Sequence, residues 1–280
     1  MEHPLIRLSR RYPQLLLPIS AETRQSEAYK NAVLRGQELI GTPDFSLSDK
    51  DTLEVVETPA GKAEVLTLSS REDFEHCIRA LAYRCENREI PKTMGASAIS
   101  GLINWEKIRT HKQEYLSSGG TDWDAEFSTF TSDSKNYRDS LMILSSGPYS
   151  AVSAEAAGYD NEEWLSMSLE IRKYHELAHF TSQRLFPDNK DAVRDEVLAD
   201  MNGIIAAIGH FDAALAGKFL GVLDGKPVSG GRLELYVPPQ ELPAAAERVG
   251  KMLEVLDQNY SFPSKPFEIL LILEKEKQFL

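Results

Sequence analysis

Cysteine is nearly absent: Cys77 and Cys85 are the only two in 280 residues, which gives no disulfide framework of the kind small secreted scaffolds need. Basic residues are also short. Against 43 Asp and Glu stand 31 Lys and Arg, for a formal net charge of −12. That balance excludes a broad phosphate-binding face, so nucleic acid is not an expected partner, and it disfavours anionic membrane surfaces. The basic run Arg7-Leu8-Ser9-Arg10-Arg11 is too short to reverse it. Long apolar runs are missing too. Leu15-Leu16-Leu17-Pro18-Ile19 follows the N-terminal arginines, but it is shorter than the apolar region of a signal peptide and Pro18 interrupts it. Nothing else approaches the ~18 apolar residues that span a bilayer. Internal repeats and low-complexity tracts are lacking. What remains is an ordinary globular composition, 42% hydrophobic and 26% charged. The expectation is a cytoplasmic protein with no membrane partner.

Pattern and punctuation divide the chain in three. Residues 1–116 read as an N-terminal α+β region. Ser26 to Ile40 predicts a helix ended by Gly41-Thr42-Pro43, and Glu64 to Leu68 a strand. Ser69 or Ser70 then caps a helix from Arg71 to about Arg88, with acids in its first turn. A second helix is expected over Ile99 to Tyr115. The small residues from Gly95 to Gly101 read as a close helix contact, since no Gly-Lys-Ser/Thr follows to make a phosphate loop. Residues 117–139 contain "SSGGTDWD" and "TFTSDSKN", whose chemistry is that of a loop or linker.

Residues 140–280 read as a mainly helical region entered by a strand, Ser140 to Leu144. Asp160 or Asn161 caps a helix that stops before Pro187, and Asp188 or Asn189 caps another over Asp191 to Ile208. Helices are also expected over His210 to Leu223 and Pro243 to Gln258, with a short strand from Leu233 to Val237 between them. Glu274 and Glu276 alternate with lysines and read as a solvated face. The fold class expected is α+β: N-terminal helices with a small sheet, then a mainly helical core.

Histidine is scarce, six in the chain, yet two bracket a glutamate in Tyr174-His175-Glu176-Leu177-Ala178-His179-Phe180. Composition alone would produce on the order of 0.01 such matches in a chain of this length, so coincidence is a poor explanation. On a helix, residues four apart share a face, and His175 and His179 can turn two imidazoles to one point. Zinc takes nitrogen, sulfur or carboxylate ligands in tetrahedral geometry, with one position left for water at a catalytic site. Glu176 sits one step round the helix, where a carboxylate can reach that water. Seventeen positions after His179, "RDEVLAD" sets Glu196 and Asp200 four apart on one face of an otherwise apolar helix. Two opposed helices would bring one carboxylate to the metal and the other to a histidine, whose second N–H such a partner fixes.

His175-Glu176-x-x-His179 followed by Glu196-x-x-x-Asp200 resembles the gluzincin, or thermolysin-like, branch of zinc metallopeptidases, over about 45 residues. It is also similar to uncharacterised bacterial proteins that carry such a helix pair. No Gly-x-x-His follows His179, so the metzincin extension is absent, and no asparagine precedes Glu196. The resemblance implies a zincin-like core that binds Zn²⁺ through His175, His179 and Glu196. It makes Glu176 the general base, Asp200 the group that orients His175, and a peptide or small amide the substrate. It also implies a donor to the developing oxyanion, for which His210, Tyr236 and, more weakly, Tyr149 are available. By the same resemblance Met142 to Ser146 would be the strand that borders the cleft and pairs with an extended peptide. Two other readings stay open: a metal-stabilised interaction protein without catalysis, and a metal-free structural helix. Intact Glu176 speaks against the first, because a pure ligand set does not need it. Cys77 and Cys85 lie only loosely on one helical face and read as small buried hydrophobes, not as a second metal site with His76.

Overall fold

The computed structural model describes residues 2–276. The chain divides into two compact units, residues 1–56 with 63–145 and residues 57–62 with 146–280. The fold is α+β.

The first unit holds α1 (Pro4–Arg11), α2 (Glu27–Tyr29), β1 (Thr52–Thr58), β2 (Gly61–Leu68), α3 (Arg71–Leu81), β3 (Ala96–Ile103), α4 (Trp105–Ser117), α5 (Trp123–Ser132) and β4 (Arg138–Ser145). Its sheet runs β1-β2-β4-β3, with β2 parallel and β3 antiparallel to β4. β4 reads as a continuous apolar run because it is interior: Leu141, Met142, Ile143 and Leu144 are all buried. That position corrects the expectation of a peptide-pairing strand at Met142 to Ser146. Both backbone edges of β4 are already hydrogen-bonded, so it has none to offer.

Several local expectations change for identifiable reasons. The helix expected to Ile40 is reduced to α2 and a π-turn, Lys30–Leu34. It stops where Gly36 takes a φ of 73° and lies against the Trp105 ring, so close that a Cβ there would overlap the indole at 2.3 Å. α3 starts at its Ser70 cap but ends at Leu81, because Arg84 and Cys85 turn left-handed at φ 54° and 66°. Ala96 to Ile103, expected to lie largely in a helix, is a strand: pairing with β4 overrides helix propensity, and a bulge at Gly101 (φ 74°) ends the regular register. The helix begins only after Asn104, whose side chain caps it by accepting from Lys107 N. Residues 117–139, expected to be loop, include α5, capped by Asp122.

The second unit holds α6 (Ala154–Ala157), α7 (Asn161–Leu185), α8 (Ala192–Ile208), α9 (Ala213–Leu220), a two-residue hairpin β5 (Val222–Leu223) and β6 (Lys226–Pro227), α10 (Leu242–Tyr260) and α11 (Glu268–Lys275). Asp160 caps α7 with acids in its first turn; α8 is capped by Asp191, not by the expected Asp188 or Asn189, and ends at Gly209 with φ 82°. Leu233 to Val237 is not a strand. No neighbouring strand pairs with it, and Arg232–Leu235 forms a 3₁₀ turn instead.

α7 and α8 pack along each other antiparallel, as their partners show. Gly203 meets Ile171, Asn202 Nδ2 donates to Tyr174 O at 2.8 Å, Asp200 meets His175 and Glu196 meets His179, so numbers fall on one helix as they rise on the other. The approach is close at Gly203, where a Cβ would sit 2.5 Å from Ile171 O.

The acidic end of the chain holds the largest correction. Glu274 is 1% exposed and faces inward, accepting from Arg194 Nη1 at 2.8 Å and Asn189 Nδ2 at 2.7 Å. A turn-by-turn charge pattern says nothing of which residue an apolar helix such as α11 turns to the core. Burial opposes ionisation of Glu274, but hydrogen bonds from Ser182, Arg194 and Asn189 outweigh it and lower its pKa. A carboxyl lowered on folding stabilises fully above its unfolded pKa of about 4.3 and loses that contribution as pH falls through the folded value. Glu274→Ala, which strands the Arg194 guanidinium, is expected to cost roughly 3–5 kcal/mol near neutral pH. Denaturant titrations should show the gap to wild type narrowing below about pH 4.

Candidate metal centre

His175 and His179 lie one turn apart on α7, and their Nε2 atoms face each other at 3.1 Å. Glu196 enters from α8, with Oε1 3.4 Å from His179 Nε2 and Oε2 3.6 Å from His175 Nε2. One ligand atom from each residue lies within 4.8 Å of the others. Oε2 of Glu196 is buried with no hydrogen-bond partner. The nearest positive group, Arg232 Nη2, lies 3.6 Å away, close enough to pair as a charge but too far to hydrogen-bond, so the oxygen keeps capacity for a closer cation.

The electrostatics point the same way. Burial disfavours a charged His179, but the Glu196 carboxylate, helped by Glu176 and Asp195, raises its pKa above the ordinary imidazole value. Glu196 is itself lowered: burial opposes, and His179, His175 and Arg232 prevail. The pocket therefore favours positive charge at its centre. Two imidazole nitrogens and a carboxylate oxygen are donors that could hold a metal ion, and they are of the types zinc takes. His179 keeps 23% of its side-chain exposure against 8% for His175, so the cluster opens on the His179 side, where Glu176 is half-buried.

Behind His175 the site is closed. Asp200, wholly buried, accepts at Oδ1 from His175 Nδ1 at 2.9 Å and from the Tyr149 hydroxyl at 2.7 Å. Arg232 donates to Asp200 Oδ2 and, at 2.9 Å, to the Tyr149 oxygen. Burial raises Asp200, but the Arg232 charge and the His175 hydrogen bond overcome it and hold the carboxyl far below its ordinary range. Because a carboxylate only accepts, His175 carries its hydrogen on Nδ1 and turns a free Nε2 lone pair to the cluster.

His175, His179, Glu196 and Asp200, singled out from sequence, thus meet. Tyr236 is brought beside Glu196: burial raises its phenol and the Glu196 charge adds to that. His210 is not brought in. It is exposed beyond the end of α8, its Nδ1 3.2 Å from Ile208 O, and twelve helical residues from Glu196 to Ile208 span about 18 Å. Tyr149 cannot serve as an oxyanion donor here, because its hydroxyl hydrogen is committed to Asp200 on the far side of His175. Arg232 was not anticipated from sequence. The only cue is Ser229-Gly230-Gly231 ahead of it; Gly231 passes so close to Gly221 that a Cβ would lie 2.7 Å from the Gly221 Cα.

Residues 3–260 match the family described as "Family of unknown function (DUF7005)". The chain belongs to that family. No curated protein and no solved structure matches it. All of the cluster and its supporting residues fall inside the span shared with the family, whereas α11 and Glu274 lie beyond it.

The buried Asp200 and the partly buried Glu196 differ in what they do for the metal-free fold. Asp200→Ala leaves the Arg232 charge without its main partner and is expected to destabilise the metal-free protein by roughly 3–5 kcal/mol. Glu196→Ala removes a carboxylate whose contacts to the two imidazoles and Arg232 are longer, at 3.4 to 3.6 Å, and is expected to cost less, roughly 1–2 kcal/mol. Urea unfolding in the presence of a chelator measures both; equal losses would mean that Glu196 is a structural acid like Asp200.

Proposed function

We propose that the protein is a zinc-dependent hydrolase, a metallopeptidase of gluzincin type acting on peptide or small amide substrates. The observation that carries this reading is the approach of Glu196 to both imidazoles at 3.4 and 3.6 Å with one oxygen that no hydrogen bond fills, next to a glutamate that is not a member of the cluster. His175 Nε2, His179 Nε2 and Glu196 would hold the ion. Bound there, zinc supplies Lewis acidity, which lowers the pKa of a water and polarises an acyl oxygen.

The chain's own residues do the rest. Glu176, on the open side, takes the proton from the attacking water and returns it to the leaving nitrogen. Tyr236, its phenol raised and so protonated at neutral pH, donates a hydrogen bond to the developing oxyanion. Asp200 keeps His175 in the tautomer that presents Nε2. The excess of acids over bases argues for a neutral or basic peptide over a polyanion. A cytoplasmic location fits the same reading: both cysteines are unpaired and buried, and no helix among the described residues is long and apolar enough to cross a membrane.

The purified protein should carry about one zinc per chain and lose it to chelators; elemental analysis finding no transition metal after growth in zinc-replete medium would end the proposal. Glu196→Ala should lose most of its zinc affinity. Glu176→Gln keeps shape but cannot take up a proton, so zinc content and melting temperature should stay at wild-type values while cleavage of a mixed peptide library falls ~10²–10⁴-fold. Wild-type cleavage by the variant would remove Glu176 as the base. Zinc in both proteins with cleavage by neither would favour the metal-stabilised interaction scaffold.

A further inference from the structure

Tyr149 is placed with more care than a core aromatic requires. It sits in a turn whose next two residues, Ser150 (φ 52°, ψ 27°) and Ala151 (φ 58°), are both left-handed without being glycine. Such conformations persist only where surrounding contacts over-determine them. Here they do. Arg172 donates to Gly147 O and Pro148 O, the Tyr149 amide donates to Ser168 Oγ at 3.0 Å, and Ser150 Oγ donates to Phe219 O at 2.6 Å. The Phe219 ring meets the Tyr149 ring edge-on at 4.7 Å. All of these contacts fix one hydroxyl at 2.8 Å from His175 Nδ1.

We propose that Tyr149 is a positioning residue that, as a second acceptor beside Asp200, reinforces the Nδ1–H tautomer of the His175 ring before any metal arrives. A hydroxyl at that distance could donate to Nδ1 and force the hydrogen onto Nε2, the wrong nitrogen for a ligand. Two neighbours prevent it. Arg232 Nη1 donates to the phenol oxygen, and Asp200 Oδ1 takes the phenol hydrogen. The oxygen of Tyr149 therefore has only acceptor capacity left toward Nδ1, and the His175 N–H finds acceptors in both Tyr149 and Asp200. Removing the hydroxyl removes one acceptor from Nδ1–H, one donor from Asp200 and one acceptor from Arg232 together. The inference rests on the metal-centre reading for its purpose, although the tautomer itself does not depend on a metal.

The test uses the full chain, metal-free and then titrated with zinc alone. Long-range ¹H–¹⁵N correlation spectra of the metal-free protein at a pH where the imidazoles are neutral report which His175 nitrogen carries hydrogen. Wild type should show Nδ1–H alone; Tyr149→Phe, in which Asp200 still accepts, should keep Nδ1–H as the major form with Nε2–H rising to a measurable minor population. Zinc affinity from chelator competition should fall roughly 10–100-fold in Tyr149→Phe, with the circular dichroism spectrum of the metal-free protein unchanged. An Nε2–H wild type overturns the proposal, as does a Tyr149→Phe protein with wild-type tautomer, even where its zinc affinity drops. If Tyr149→Phe does not fold, the wild-type spectrum decides alone. If wild type binds no zinc, the hydrolase reading falls while the tautomer measurement still tests the role of Tyr149.

Discussion

A carboxylate with no exposed surface must be neutralised and hydrogen-bonded where it stands, and Asp200 is that carboxylate. Meeting its needs draws one group from each of three separate parts of the second unit: the His175 ring from α7, the Tyr149 hydroxyl from the strained turn, and the Arg232 guanidinium from the 3₁₀ turn after the short hairpin. None of the three could be moved without leaving a buried charge or donor unpaired. The direction in which His175 presents its free nitrogen follows from that closure, and so does the face of α8 that Glu196 can use.

Much of this was legible in the chain because helix spacing is local information. The interval of four between His175 and His179, and again between Glu196 and Asp200, says which side chains share a face wherever the helix lies. The Asp160 cap frames the first helix, and the short connection after Pro187 forces the pair to run antiparallel, although the second cap falls at Asp191 and not at Asp188 or Asn189. The apolar run at Leu141 to Leu144 likewise announces a strand buried on both faces.

The parts that could not be read depend on a partner distant in sequence. Nothing around Arg232 distinguishes it from a surface arginine, since its meaning lies in the Asp200 and Tyr149 it reaches. Glu274 looks solvated among lysines until α11 folds against α8 and aims it at Arg194. Ala96 to Ile103 has the small residues of a packed helix and becomes a strand only because β4 is there to pair with it. His210 shows the converse error: residue type alone suggests a donor, and the length of α8 carries it away from the cluster.

The order of the first sheet has a kinetic consequence. β4 lies between β2 and β3, and its parallel partner β2 is matched with it from Glu64 to Leu141, more than seventy residues apart. The entropy of closing that loop is lost before any ladder hydrogen bond forms in return. A chain emerging from the ribosome therefore exposes the free edge of the β1–β2 pair and all of β3 until Leu144 has been made, whereas α7 and α8 are neighbours in sequence and can find each other within one short stretch. The first unit, not the helix pair with its polar cluster, is where nascent chains of this protein are most open to mispairing and aggregation.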